Sequence, residues 1–202
     1  MTDLGGVRWI GGGSGAGKST VALLLGERLD VPVVQTDLSL RDHAAASAGA
    51  PAVDAFVGMS MDERWVHRDP EEMLATFPWF DGEGFDLLLA ALPPRRPLLV
   101  EGFRLLPRLV APLLGAEGRA VWLLPTPAVR ARAFASRAAE GRAFWERTSD
   151  PARALANVLE RDRRFTDRLR AECEQLALPA VEVDGSAGAE EVAERVASVL
   201  GL

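Results

Sequence analysis

The sequence predicts an α/β domain built around a parallel β-sheet. Short apolar runs alternate with longer stretches of helical periodicity along the 202 residues. Most of the short runs are continuous rather than alternating, as expected for strands that helices cover on both faces. No internal repeat or low-complexity linker divides the chain, so residues 1–202 are predicted to form one domain.

The pattern predicts five strands and three well-defined helices. The helices are expected at residues 17–29, from about 151 to 176 and from about 189 to 200. Pro151 suits the first turn of the second helix, with Ser149 or Asp150 as its cap. The single cysteine, Cys173, falls on the apolar stripe of that helix, so we interpret it as a core residue. The strands are predicted at residues 7–11, 32–36, 97–102, 119–125 and 180–186.

Two segments are longer than a simple crossover between strands requires. The first, about residues 38–94, holds six of the thirteen aromatic residues and is predicted to be an insertion. The second, about residues 126–150, holds five arginines. Further arginines between Arg161 and Arg170 alternate with acids and are interpreted mainly as surface ion pairs. Arg161 and Arg164 remain candidates to face a bound anion.

Composition excludes several classes of function. The net charge of −6 and the pI of about 5.1 argue against a nucleic acid partner. One cysteine and two histidines exclude an intrachain disulfide and a site rich in these ligands. No apolar run approaches the roughly 18 residues of a membrane span, and the N-terminus does not resemble a signal peptide. We therefore expect a cytoplasmic protein without a membrane partner, and composition leaves the oligomeric state open.

Residues 12–20 carry the most specific motif, G-x-x-x-x-G-K-S. Glycines let the backbone approach a phosphate, and successive N–H groups with a helix N-terminus attract the anion. In this motif the lysine bridges the β- and γ-phosphates of ATP, and the serine hydroxyl binds Mg²⁺. Lys18 is the only lysine among 23 basic residues. The predicted phosphate-binding residues are Gly12, Gly13, Ser14, Gly15, Ala16, Gly17, Lys18, Ser19 and Thr20.

The same glycines allow a second interpretation. Gly11, Gly13 and Ala16 fit the dinucleotide pattern G-x-G-x-x-A, and Asp37 follows at the distance where that fold binds a ribose hydroxyl. That interpretation predicts an NAD(P)-binding oxidoreductase. The Gly-Lys-Ser triplet favours the phosphate loop, because a dinucleotide fold has no particular use for a lysine there. A GTPase is excluded, since its N-K-x-D segment needs another lysine.

Elements spread along the chain resemble the small P-loop kinases of metabolites, nucleosides and nucleotides, on the side of uridine kinase and phosphoribulokinase. They are the phosphate loop, Asp37 after the second strand, "VEG" after the third, the arginine-rich segment after the fourth and "VDGS" after the fifth. The resemblance implies a three-layer P-loop NTPase fold with a five-stranded parallel sheet. It also implies an acceptor-binding insertion at about 38–94 and an arginine-rich lid at about 126–150.

The resemblance also implies roles for individual residues. Asp37 would orient or deprotonate an acceptor hydroxyl, and Glu101 would hold Mg²⁺ together with Ser19 or contact the acceptor. The loop at residues 183–186 would lie against the adenine. The candidates to clamp the transferred phosphoryl group are Arg130, Arg137 and Arg142.

Within the insertion, Arg64, Trp65 and Arg68 are candidates to contact the acceptor. Trp65 could stack on a base or sugar, and Arg68 could hold a phosphate or carboxylate. The alternative is that the aromatic residues form the insertion's own small core. His43 is interpreted as a surface helix residue.

The sequence thus predicts an ATP- and Mg²⁺-dependent kinase that phosphorylates a hydroxyl of a nucleoside, sugar or related metabolite. One alternative is a regulatory P-loop ATPase with no small-molecule acceptor. The other, less favoured, is the NAD(P)-binding oxidoreductase.

Overall fold

A computed structural model describes residues 4–94, 97–115 and 119–202. Within those ranges five parallel strands form one sheet in the order β2-β3-β1-β4-β5, which confirms the predicted fold class. In this order β3 lies between β1 and β2, whereas a dinucleotide-binding sheet pairs its first two strands directly. The strands are β1 (Val7–Gly12), β2 (Val33–Gln35), β3 (Leu98–Glu101), β4 (Arg119–Pro125) and β5 (Ala180–Val183).

Strands β2, β3 and β5 are each shorter than the runs that predicted them. After β2 the chain turns at once into a 3₁₀ turn, Thr36–Ser39, so Thr36 and Asp37 lie beyond the strand. After β5, Asp184 Oδ1 accepts hydrogen bonds from Ser186 N at 2.9 Å and Ser186 Oγ at 2.6 Å. Side-chain hydrogen bonds to the local backbone of this kind favour turns over extended chain.

Helices fill the connections between the strands. Six of them begin with proline, whose missing N–H costs nothing at a helix N-terminus. The predicted cap of the longest helix is confirmed, since Asp150 Oδ1 accepts from Arg153 N at 3.0 Å. The helices are α1 (Lys18–Leu29), α2 (Leu40–Ala46), α3 (Pro51–Gly58), α4 (Met61–Trp65), α5 (Pro70–Ala75), α6 (Pro78–Asp81), α7 (Phe85–Ala90), α8 (Pro107–Val110), α9 (Pro127–Ala139), α10 (Pro151–Gln175) and α11 (Ala189–Leu200).

Both faces of the sheet are covered, which explains the continuous apolar runs. On one face Ile10, Leu99 and Val121 pack against α1 and α11. On the other face Trp9 and Trp122, both fully buried, belong to the larger core that includes α10 and the insertion. The sheet therefore has helices in layers on both sides.

The insertion, helices α2 to α7, shares its aromatic core with α10. Phe80 stacks on Phe165 of α10, with ring centroids 3.7 Å apart. The guanidinium of Arg161, also on α10, lies 4.8–5.2 Å from the ring centroids of Trp65, Phe77 and Phe80. The aromatic residues thus fix the insertion to the main body rather than forming a separate small core.

The arrangement of α10 corrects one interpretation and confirms another. Arg161 is buried among aromatic rings and paired with the buried Asp162, so it is neither a surface residue nor free to face a phosphate. Arg164 does form surface ion pairs, with Glu160 and Glu71.

Cys173 is a core residue, and burial raises the pKa of its thiol to about 12. Among the described helices, none is long and apolar enough to cross a membrane.

Candidate active site

The phosphate loop connects β1 to α1 at the carboxyl end of the sheet. Gly15 and Gly17 adopt positive φ angles of 83° and 79°, which glycine reaches without strain. Gly17 caps α1, and among the described residues no side chain caps the first turn of that helix. The N–H groups of this turn therefore remain available to an anion, as the motif predicts.

The lysine of the motif is folded into its own loop. Lys18 is only 7% exposed, and its Nζ donates to Gly13 O at 3.0 Å. Burial lowers the pKa of Lys18 from its usual value, while the nearby carboxylates of Asp37 and Glu101 raise it. The ammonium group thus lies where the loop, β2 and β3 meet.

A buried carboxylate at the end of β3 faces the start of α1. Glu101 is 1% exposed, and its Oε1 accepts from Ser19 Oγ at 2.7 Å and from Gln35 Nε2 at 3.2 Å. Its other oxygen, Oε2, is buried without a hydrogen-bond partner in the described structure. Burial raises the pKa of Glu101, against the opposing effects of Ser19 and Lys18.

These groups fit a magnesium ion that is shared with a nucleotide. Mg²⁺ prefers oxygen ligands and usually takes one or two from the protein and the rest from phosphates and water. Ser19 Oγ and the unpartnered Oε2 of Glu101 are such oxygens, close to the phosphate loop. In the described ranges no group of three or more acidic, histidine or cysteine side chains is arranged so that it could hold a metal ion.

Replacing Glu101 by glutamine is expected to stabilise the ligand-free protein at neutral pH, with a rise in Tm of about 2–4 °C. The folded state binds the Glu101 proton more tightly than the unfolded state, so its contribution to stability falls as pH rises above the ordinary value of 4.5. The rise in Tm should therefore disappear near pH 4. Thermal unfolding curves recorded from neutral pH down to about pH 4 measure it. Glu174→Gln, at an exposed position of α10, is the control. A lower Tm of Glu101→Gln at neutral pH would contradict this expectation.

Asp37 lies in the 3₁₀ turn after β2 and is exposed. Its Oδ1 accepts from Phe103 N at 3.3 Å and from Thr36 Oγ1 at 3.4 Å. A Cβ on Gly102 would lie 2.8 Å from that same oxygen and would clash with Thr36 Oγ1. The glycine after Glu101 is therefore needed for β3 and the Asp37 turn to pack this closely.

An arginine that the sequence did not identify holds this turn in place. Arg104 is 2% exposed and donates to Thr36 O and to Ser39 Oγ, the latter at 3.0 Å. It also contacts His43 Nδ1 at 2.9 Å. His43 is accordingly buried, which corrects its interpretation as a surface residue. The available signal was an arginine within the apolar run "GFRLLPRLV" after β3.

The three predicted clamp arginines occupy different environments. Arg137 and Arg142 line the cavity at the phosphate loop, and Arg142 Nε donates to Glu140 Oε2 at 2.8 Å. Arg130 is 1% exposed and donates to Thr166 Oγ1 behind the loop, so it does not line that cavity. Asp162, a buried carboxylate that the sequence did not indicate as a site residue, attracts Lys18, Arg130 and Arg137 electrostatically.

In the described part of the chain, cavities adjoin the phosphate loop and Asp37, and three of them matter for the site. The phosphate cavity, about 400 Å³, is lined by loop residues, Asp37, Arg137 and Arg142. A cavity of about 200 Å³ lies between the loop and residues 183–192, a range that includes the 183–186 loop predicted to lie against adenine. The third, about 710 Å³, is lined by the 3₁₀ turn and by helices of the insertion, and we call it the insertion cavity. Asp37 lines both the phosphate cavity and the insertion cavity.

Of the three residues predicted to contact an acceptor, only Arg64 lines the insertion cavity. Trp65 is buried against Phe56 and Phe144, which prevents it from stacking on a ligand there. Arg68 is buried and donates to Glu72 O at 3.1 Å and to Thr76 Oγ1, so it stabilises α5 instead. The expectations for Trp65 and Arg68 are therefore corrected.

Comparison with solved structures identifies the fold. Deoxyadenosine kinase from M. mycoides with bound dATP has a TM-score of 0.55 at 11% identity, over 97% of this chain and 100% of that chain. Shikimate kinase from Acinetobacter baumannii with shikimate has a TM-score of 0.51 at 15% identity, covering 96% and 93%. The YorR protein from Bacillus subtilis with phosphorylated GDP has a TM-score of 0.51 at 14% identity, covering 97% and 96%.

No protein-family model and no curated protein matches the chain. None of the three structures is a uridine kinase or a phosphoribulokinase, so that narrower resemblance stays a prediction. At these identities the likeness concerns the fold and not the substrate. The chain has the α/β fold of small P-loop kinases.

Proposed function

We propose that the chain is an ATP- and Mg²⁺-dependent phosphotransferase that moves the γ-phosphoryl group of ATP to a hydroxyl of a small molecule. The observation that carries this proposal is the position of Asp37, which lines both the phosphate cavity and the insertion cavity. A carboxylate between a phosphate site and a second pocket suits an acceptor hydroxyl that must meet the γ-phosphorus.

The donor is held by the loop. The free N–H groups at the start of α1 and the Lys18 ammonium contact the phosphates, and the small cavity beside residues 183–192 receives the adenine. Ser19 and Glu101 would hold the magnesium ion, which would supply positive charge against the phosphate oxygens.

Transfer requires a proton acceptor and charge stabilisation. Asp37 takes the hydroxyl proton as the new oxygen–phosphorus bond forms, the bond to the β-phosphate oxygen breaks, and ADP leaves. Arg137 and Arg142, on the predicted lid, stabilise the charge on the phosphoryl oxygens. Arg104 is a positioning residue, because it holds the turn that presents Asp37.

Two measurements test this proposal. ATP with Mg²⁺ should raise the Tm by more than NAD(P) does, because a ligand that binds only the folded state stabilises it by mass action. ADP release should then increase when an acceptor hydroxyl is supplied, in a screen of alcohols, sugars, nucleosides and amino alcohols. ATP hydrolysis that no acceptor stimulates would contradict the proposal and favour a regulatory ATPase. A thermal shift with NAD(P) alone would favour an oxidoreductase.

A further inference from the structure

The wall of the insertion cavity is mostly apolar. Eight of its twelve lining residues have apolar side chains, and the other four are charged. Apart from the Trp79 indole, these twelve residues include no uncharged hydrogen-bonding side chain such as a hydroxyl, amide or imidazole. Hydroxyls of a sugar or other polyol that face this wall would find few side-chain partners, which is unfavourable.

Two apolar side chains at this cavity are unusually exposed. Leu38 is 78% exposed and Val57 is 52% exposed, and both line the cavity. They are two of the six large apolar side chains that are exposed in the described ranges. Leu38 directly follows Asp37, so an apolar surface adjoins the proposed proton acceptor. A ligand whose apolar body covers Leu38 and Val57 would remove this surface from water.

Three of the four charged lining residues already have partners. Asp54 accepts from Gly49 N at 3.0 Å. Arg64 donates to Phe56 O at 3.0 Å and to Val57 O at 2.5 Å. Asp37 accepts from Phe103 N, as described above.

Arg41 is the exception, because within the described chain it has no hydrogen bond or ion pair. It lies on α2, four residues after Asp37, and lines the same cavity. Its guanidinium presents several N–H donors and one positive charge to the cavity. A guanidinium of this kind suits a carboxylate or similar anion on the ligand.

We infer that the acceptor is an alcohol with a largely apolar body and one anionic group, rather than a sugar or another polyol. Its hydroxyl meets Asp37, its body covers Leu38 and Val57, and its anion pairs with Arg41. This inference rests on the proposed phosphotransferase function, and it narrows the substrate class of the same site.

The test uses four acceptors, which cover the combinations of an apolar or polar body with an anionic or neutral charge. They are 4-(hydroxymethyl)benzoate (apolar, anionic), benzyl alcohol (apolar, neutral), gluconate (polar, anionic) and glucose (polar, neutral). Acceptor-dependent ADP release with ATP and Mg²⁺ gives kcat/KM for each. We expect 4-(hydroxymethyl)benzoate to be the best acceptor, benzyl alcohol to be second, and both polyols to be at least about tenfold poorer than the benzoate.

Two variants assign these preferences to residues. Arg41→Gln should lower kcat/KM for 4-(hydroxymethyl)benzoate about tenfold, through KM, and by more than it lowers kcat/KM for benzyl alcohol. Leu38→Ser should lower kcat/KM for both apolar acceptors. Both side chains are exposed, so the fold does not depend on them. The matched controls are Arg153→Gln and Leu176→Ser, at exposed positions on and at the end of α10 that do not line the cavity.

The possible outcomes distinguish an error in the inferred acceptor class from an error in the phosphotransferase proposal. If gluconate or glucose is the better acceptor and its turnover needs Asp37, the chain is a kinase but the inferred acceptor class is wrong. If Arg41→Gln lowers kcat/KM equally for the benzoate and for benzyl alcohol, the inferred pairing of an anionic group of the acceptor with Arg41 is wrong. If none of the four acceptors and no member of the wider screen stimulates ADP release, the phosphotransferase proposal itself fails, and the inference fails with it.

Discussion

Asparagine at position 37 is expected to lower acceptor-dependent kcat by at least about a hundredfold while leaving the binding of ATP and Mg²⁺ largely intact. Asparagine has the shape of aspartate but cannot accept the hydroxyl proton. Its amide oxygen can still accept from Phe103 N and Thr36 Oγ1, so the turn should keep its geometry. The side chain is exposed, which limits any effect on folding. The measurements are kcat from ADP release and the Kd of ATP with Mg²⁺ from calorimetry.

Asp42→Asn is the matched control for this substitution. Asp42 is an exposed acid on α2, five residues along the chain, and it does not line the insertion or phosphate cavity. It should keep both kcat and nucleotide binding. If Asp37→Asn keeps more than about a tenth of the wild-type kcat, Asp37 does not act as the proton acceptor.

The parts of the fold that the sequence could predict are those in which local pattern and burial agree. Strands β1 and β4 are covered on both faces and read as continuous apolar runs. The boundary of β2 was predicted less well, because the chain leaves the sheet where Arg104, 68 residues from Thr36, binds the backbone. A contact so distant in sequence has no local signal.

The residues of the candidate site also differ in how far the local sequence could identify them. The phosphate loop is contiguous in sequence, and its glycines, lysine and serine have fixed spacing, so the sequence alone names each of its residues as a candidate. Glu101 was predicted beside Ser19 from the resemblance to P-loop kinases, and in the fold Ser19 Oγ donates to Glu101 Oε1.

The roles of the individual arginines could not be predicted from the sequence. Lys18 apart, the basic residues of this chain are all arginines, so residue type carries little information about role. Arg104, Arg130 and Arg161 are buried because hydrogen-bond acceptors or aromatic rings from distant segments surround them. Arg41 is exposed on a short helix and differs from them only in its surroundings. Burial and partners, which decide these roles, are properties of the folded chain.

Substitutions of Lys18 separate its charge from its shape. Lys18→Met keeps the length of the side chain but removes the charge, and it should weaken binding of ATP with Mg²⁺ at least about tenfold and lower kcat at least about a hundredfold. Lys18→Arg keeps the charge but replaces a compact ammonium by a wide planar group. Because Lys18 is buried against Gly13 O, the guanidinium should not fit the loop, and nucleotide binding should be lost here too. Calorimetry and ADP release measure both effects.

The two variants should differ in the stability of the ligand-free protein. Burial lowers the pKa of Lys18 in the folded state, so the unfolded chain binds this proton more tightly. The lysine therefore destabilises the fold at neutral pH, and this penalty shrinks as pH rises toward the usual value of 10.5. Lys18→Met should raise the Tm at neutral pH by about 2–4 °C, with a smaller gain in alkaline buffer, whereas Lys18→Arg should lower it. A Met variant less stable than the wild type at neutral pH would show that the carboxylates of Asp37 and Glu101 outweigh burial, and that the ammonium holds the empty loop together.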